Sequence, residues 1–386
     1  MHTKLSSVFT FLFLLALTAG YQFLYCHWLP NGDLTSLFFS GALLPHPPEL
    51  ERSAYRYPNS TGYDGQMYRT VAHDPLSRKG YWKYLDNPRL RARRILIPAL
   101  AGWLGGGSIA AVDWWYVAIT DILMALGGLC FVRLAEDRCS RLAAVILYSL
   151  IPAMIAPTDR MVLDGPAVAG FLAAWLFLRQ GRWTLLFAAL TLLPLIRETG
   201  ILVTAGAGMV FLRSREYGRM ALAAITAIPA LLWWSFVAAH TPASGLGSLL
   251  SVPLVPQIVR WFTPVSRPVP PLVNTMLQAV DLVADTCLLL AFAFVARTIW
   301  REIRQGRLAD DTLLIIPVAV LAAFASTPDI LKDPYAFLRV NSVLLTWAAL
   351  RMLVIRPVFG WAYVAACSVP LLIFRVNPIL RLAGVR

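Results

Sequence analysis

The amino-acid sequence predicts an all-α polytopic membrane protein, a helical bundle of about eleven spans with roughly ten to thirteen compatible with the pattern. Three observations carry this expectation. Of 386 residues 58% are hydrophobic and 14% charged, and the mean hydropathy is +0.63, more apolar surface than one soluble core can hide. Apolar runs of near-spanning length recur from one end to the other. The basic residues that give a net charge of +13 fall in short clusters between those runs, which is a topology signal and excludes a nucleic-acid footprint.

Taken in order, Lys4 precedes an apolar run over 8–29, longer than the core of a signal peptide and without a clean cleavage site, so it reads as a retained first span with a cytoplasmic N-terminus. A hydrophilic segment follows to Arg94, and residues 30–112 form the first extracytoplasmic loop with juxtamembrane helices. Within it, 34–44 is expected to lie along the bilayer surface. Residues 95–112 are apolar but broken by Pro98 and Gly105-Gly-Gly107; kept as a short element on the outer side, they let the downstream loops alternate. Arg133, Arg138 and Arg141, then Arg179 and Arg182, Arg213 to Arg219, Arg297 to Arg307, and Arg351 and Arg356 fall on the inner side. The remaining spans are drawn at 114–134, 142–157, 163–179, 183–196, 200–213, 219–240, 272–297, 312–326, 338–355 and 358–374, all in one transmembrane domain over 1–386. A Pro-rich outer loop occupies 241–271, and an arginine-bearing tail follows Phe374, on the outer side against the positive-inside rule. Five scattered cysteines have no disulfide or zinc spacing.

The stretch Thr61-Gly-Tyr-Asp-Gly-Gln-Met-Tyr-Arg-Thr-Val-Ala-His-Asp-Pro75 is the most polar part of the first loop. Gly65 allows close backbone approach and Pro75 ends a short helix, so the segment carries Asp64, Gln66, Tyr68 and Arg69 on one or two turns. Taken alone, Asp64 reads as a helix N-cap. The loop closes on Asp86-Asn-Pro-Arg-Leu-Arg-Ala-Arg-Arg94, four arginines against an apolar run. The same face collects Asp159, Arg160 and Asp164, then Arg197-Glu198, then residues 326–333 with Arg339. A carboxylate and arginines beside a membrane suit a reaction on a lipid phosphate. His73, with no second histidine near it, reads as structural.

Tyr63-Asp-Gly-Gln66 with Tyr68 and Ala72-His-Asp-Pro75, Arg93-Arg-Ile-Leu-Ile-Pro98, Ser149-Leu-Ile-Pro152, Asp159-Arg160 to Asp164, and Arg197-Glu-Thr-Gly200 together resemble the GT-C glycosyltransferase superfamily. In layout they are similar to its polyprenyl-phosphate-sugar-dependent mannosyl- and aminoarabinose transferases over about the first 200 residues. The resemblance implies a GT-C-like fold in the inner membrane and a sugar moved from a polyprenyl-phosphate donor to a glycan, lipid or protein acceptor on the extracytoplasmic face. It assigns the acidic residue of the first outer loop, here Asp64, as base or metal ligand. The family often has two adjacent acids there and this chain has Asp64-Gly65, so a divalent metal has no support from the residues and no other cofactor is implied.

On that reading one carboxylate suffices, because a departing phosphate needs no protonation. Asp64 takes the acceptor proton, the anomeric carbon inverts, and Arg93, Arg94, Arg160 and Arg197 neutralise the phosphate. Gln66, Tyr68, Arg69, Asp159, Asp164 and Glu198 are the candidate substrate contacts. Interfacial anchoring is the alternative account of Arg93 and Arg94, and local ion pairing that of Asp159, Arg160, Asp164 and Glu198. The competing class is a transporter or flippase of a lipid-linked saccharide, motivated by Asp121 and by Asp281 and Asp285 on one helix face inside a drawn span. Against it stands the absence of related halves with broken helices in the sequence. A non-catalytic assembly role has no feature in its favour.

Overall fold

The computed structural model of the chain describes residues 2–28, 32–136, 138–243, 251–267, 270–324 and 334–382. Residues 326–333 with Lys332, Pro268 in the Pro-rich loop, and the tail beyond Leu382 lie outside them. The described chain is mostly helical with almost no strand, and it is a membrane-associated protein by the length and apolarity of its helices.

Among the described residues four helices are long and apolar enough to cross a bilayer, or five if the bent pair Arg141–Ser149 and Pro152–Arg160 is one span: the Ser7–His27 part of the first helix, Ile109–Ala135, Tyr217–His240 and Pro271–Arg304. Several drawn spans come out differently. The run drawn as 142–157 is two helices, Arg141–Ser149 and Pro152–Arg160, bent by 68° at their break. Pro152 supplies the reason, since it has no N–H to continue the ladder and its ring clashes with the preceding turn. The run drawn as 338–355 is likewise interrupted at Asn341, between the Pro334–Val340 and Ser342–Ile355 helices. The runs drawn as 183–196 and 200–213, by contrast, are helices at those bounds, Trp183–Ile196 and Gly200–Arg213, each of 14 residues and about 20 Å, shorter than a bilayer core.

The first loop is packed rather than spread over a surface. Where residues 34–44 were expected along the bilayer, only Leu34–Phe38 forms a short 3-10 helix, and Leu37 and Phe38 are fully buried in the main core. Ser40–Gly41 then pairs in parallel with Arg56–Tyr57, Ser40 opposite Arg56. The Leu96–Leu104 helix has nine residues, about 14 Å, and packs between the Asp64–His73 and Ile109–Ala135 helices.

The Asp64–His73 helix is the centre of this layer, buried along its length after its first residue. Met67 and Val71, one turn apart, face a small apolar cluster with Trp82, Leu85, Ile95 and Val237. Tyr68 and Ala72 face the main core. A third face is polar: Arg69 gives two parallel hydrogen bonds to Asp113, both 2.8 Å, and His73 Nε2 meets the same carboxylate at 3.0 Å. Arg69 also donates to Leu50 O and Ser53 Oγ. His73 is thus a structural partner of the Ile109–Ala135 helix.

Gly65 sets how closely this helix approaches its neighbours. A Cβ there would lie 2.1 Å from the Arg160 carbonyl oxygen and 2.9 Å from that of Phe38, closer than any side chain allows. The backbone carrying Asp64 is therefore seated directly against the turn carrying Arg160.

Candidate functional site

Asp64 is the first residue of its helix, and the N-cap position before it is held by Tyr63. The N-cap role is thus not the one it plays. Its Oδ1 meets Arg91 Nη2 at 2.8 Å and its Oδ2 meets Arg339 Nη2 at 2.8 Å. Arg339 continues inward, its Nε lying 3.2 Å from Asp164 Oδ2, and Asp164 also contacts Arg197. Asp164, like Asp64, opens a helix, so two positive helix ends converge here with their acids already bound to guanidinium groups.

Beside this row, Arg94 donates to Glu198 through Nε at 2.7 Å and Nη2 at 2.5 Å, and to the Tyr68 hydroxyl. Arg91 joins the two rows, bonding the Tyr68 hydroxyl at 3.3 Å and Asp86 at 2.7 Å as well as Asp64. Tyr68 sits under both guanidiniums, its ring centroid 5.7 Å from Arg91 and 5.9 Å from Arg94. Arg160 stacks on Phe39 at 3.8 Å and faces Tyr63 at 5.1 Å, while Arg339 faces the same Tyr63 ring at 4.9 Å. Asp159 lies 4.0 Å from Arg160. Phe39 and Met161, which flank Arg160 on either side, both hold positive φ, at 50° and 44°, a strained choice for residues with side chains.

The local sequence explains how these groups arrive. The break before Pro152 turns Asp159 and Arg160 back toward the first loop, and Arg160 ends in the left-handed turn at Met161. The Trp183–Ile196 helix stops at Arg197, whose backbone is extended, and Gly200 lets the next helix return against Leu193, where a Cβ would meet backbone at 2.6 Å. This sharp turn aims Arg197 and Glu198 into the cluster.

Burial sorts the charges. The Glu198 side chain is 25% exposed and Asp64 18%, whereas Arg339 is 7% and Asp164 5%. The reachable edge is acidic, and guanidinium groups lie beneath it. Burial would push the Asp64 carboxyl up, but Arg91 and Arg339 outweigh it and hold the group well below the ordinary carboxylate range. Glu198 behaves alike: burial opposes ionisation, Arg94 overrides it, and the pKa falls to about 2. Arg197 is the least supported cation, lowered to about 10 by burial and then by the nearby Arg94 charge. Its Nε and the Nη1 of Arg339 are buried and make no hydrogen bond among the described residues. Two donors therefore remain unspent at the floor of the cluster.

The chain matches no protein-family model, no curated protein and no solved structure.

Of the candidate residues, Asp64, Tyr68, Arg94, Asp164, Arg197 and Glu198 meet in one cluster, with Arg160 and Asp159 at its side. Arg93 does not join them. Its guanidinium lies over Trp234 at 5.8 Å, and the neighbouring Ala92 carbonyl accepts a hydrogen bond from Trp233, so Arg93 serves the docking of its helix on Ile228–His240. Arg69 is committed to Asp113, and Gln66 to Gly41 N at 3.0 Å and Thr61 O at 2.8 Å; both hold the loop together and neither faces the cluster. Arg91 and Arg339 complete the cluster, and the sequence pattern assigns neither of them a role there. Arg91 was legible, since it stands three residues before Arg94 and so shares its side of the turn, while Arg93 is rotated away. Among the described residues no group of three His, Cys, Asp or Glu side chains has the arrangement of a metal site.

The acidic residues behind the competing class have structural partners. Asp121 accepts a hydrogen bond from Gln22 at 3.0 Å. Arg260, on the Val255–Phe262 helix, lies 3.3 Å from Asp281 and 3.0 Å from Asp285, and Arg267 reaches Asp281 at 2.9 Å. These carboxylates anchor the Pro-rich loop on the Pro271–Arg304 helix.

Proposed function

We propose that the chain is an integral-membrane glycosyltransferase of GT-C-like architecture with about eleven crossing segments, moving a sugar from a lipid-phosphate donor to an acceptor hydroxyl at the extracytoplasmic face of the inner membrane. One observation carries the reading: Asp64, at the reachable edge of the cluster, is shared between Arg91 and Arg339 at 2.8 Å each, above unspent guanidinium donors. A phosphate needs several N–H donors in a fixed geometry, and an attacking hydroxyl needs a carboxylate next to them.

In this mechanism the donor phosphate takes hydrogen bonds from Arg339, Arg197, Arg91 and Arg94 and competes with Asp64 for the first and third of these. As its ion pairs loosen, the Asp64 carboxylate regains basicity, so the base is strengthened by the arrival of the donor. The acceptor oxygen attacks the anomeric carbon with inversion, its proton passing to Asp64. The bond from that carbon to the phosphate oxygen breaks, and its electron pair stays on the phosphate, which the arginines hold. Tyr68 orients Arg91 and Arg94 from below.

Lipid and glycan mass spectrometry of cells lacking the protein is the test: one sugar absent from surface glycans with its lipid-phosphate carrier accumulated is the expected result, and an unchanged profile sinks the proposal. Returning the protein as Arg91→Ala should restore product poorly, by on the order of a hundredfold less than wild type. Arg93→Ala should restore it within about threefold, losing only about 1 kcal/mol of stability with its ring contact.

A further inference from the structure

At the end of the bundle remote from Asp64 lies a groove of 650 Å³ between the Pro271–Arg304 helix and the Pro357–Leu382 helix. The Ser342–Ile355 helix, with Arg339 three residues before it and Arg356 directly after it, rises about 20 Å and separates this groove from the Asp64 cluster. Cys287, Leu290, Phe294, Arg297 and Arg301 recur every three to four residues along one face of the first helix, running from apolar to basic. The second helix contributes Phe359, Ala362, Tyr363 and Ala366 at the same spacing. The Tyr363 hydroxyl donates to the Cys287 carbonyl at 3.0 Å and fixes the apolar ends of the two helices together.

The basic end is formed by Arg297, Arg301 and Arg356, all exposed. No lining residue is acidic, and no ion pair ties these three arginines to a carboxylate among the described residues. The neighbouring acids are spent elsewhere, Glu302 and Asp311 both on Arg351. From Cys287 to Arg297 the helix rises about 15 Å, which is the hydrocarbon depth of one leaflet.

We infer that this groove is a binding site for an anionic phospholipid, its acyl chain lying between the small Ala362 and Ala366 side chains and Phe294, and its phosphate among Arg297, Arg301 and Arg356. Length and charge both point to that occupant: an apolar channel one leaflet deep ends in three cations with no protein counter-charge. The inference is independent of the chemistry at Asp64.

The experiment is native mass spectrometry of the full chain released from bilayers of equal parts phosphatidylglycerol and phosphatidylcholine with identical acyl chains. The wild-type protein should retain phosphatidylglycerol preferentially. Changing Arg297, Arg301 and Arg356 together to Gln should lower that preference by roughly fivefold per arginine. Ala366→Trp, which fills the apolar part and leaves the charges in place, should displace the retained lipid. Equal retention of the two lipids by the wild type, an unaltered preference in the triple variant, or unaltered retention in Ala366→Trp would each overturn the inference; the last is decisive alone if the triple variant does not fold.

Discussion

Asp64→Asn should lower turnover by about 10²- to 10⁴-fold, the contribution of a positioned general base, while leaving donor binding as tight as in the wild type or tighter. Asparagine keeps the shape, and its single carbonyl oxygen can accept from one of the two arginines, while its amide nitrogen, a donor only, gives up the bond to the other. It removes the negative charge that competes with the donor phosphate for those two arginines. A fall in kcat with an unchanged or lower donor KM, measured on purified protein in nanodiscs, is the expected split. Undiminished turnover would remove Asp64 from the chemistry, and a raised KM with unchanged kcat would make it a binding group only.

Arg339→Ala should be the most damaging single change in the cluster. Among the described residues Arg339 is the one side chain that touches both Asp64 and Asp164, at 2.8 and 3.2 Å, so its loss leaves each carboxylate with one cation fewer. Breaking a buried pair in this way costs about 3 to 5 kcal/mol, to be read as a lowered melting temperature in detergent. Donor KM should rise at the same time. Arg339→Lys should not rescue either property, because one ammonium cannot reproduce the two directions of the guanidinium fork. The pH dependence gives a separate check. In the proposed mechanism Asp64 acts ionised, so activity is present above its pKa and is lost as pH falls through it; with one depressing charge removed, that pKa moves up toward the ordinary value of about 4, and the acid limb of residual activity should move up with it.

Much of the fold was legible because hydropathy and proline act locally. The apolar run at 114–134 lies inside one long helix, and the short apolar element after Ile95 ends before its glycines. The bend at Pro152 was written in the chain as well, but a run drawn on hydropathy alone passes straight across it. Legibility of the cluster divides in the same way. Asp64 and Tyr68 stand one helical turn apart and share a face, and Arg197 and Glu198 sit at the edge of an apolar run where charges need partners. Gln66 and Arg69 lie on the same short helix and look equally suited to a ligand, yet their partners, Gly41 and Asp113, are 25 and 44 residues away, and nothing in the local pattern names them. Arg93 and Arg94 are adjacent in sequence, but the rotation between successive residues sends Arg93 to Trp234 while Arg94 reaches Glu198. Arg339 is the extreme case: only the assembled bundle brings it to Asp64.

The 275-residue separation of Asp64 and Arg339 also bears on how a copy of this protein is made. Synthesis runs from the N-terminus, so Asp64 and Asp164 enter the bilayer region long before the cation they share leaves the ribosome. Until that segment arrives, Asp64 has Arg91 alone and Asp164 has Arg197 alone, and a truncated product ending ahead of it lacks the cation that joins the two. The charge cluster is thereby complete only in chains that have been translated past Arg339.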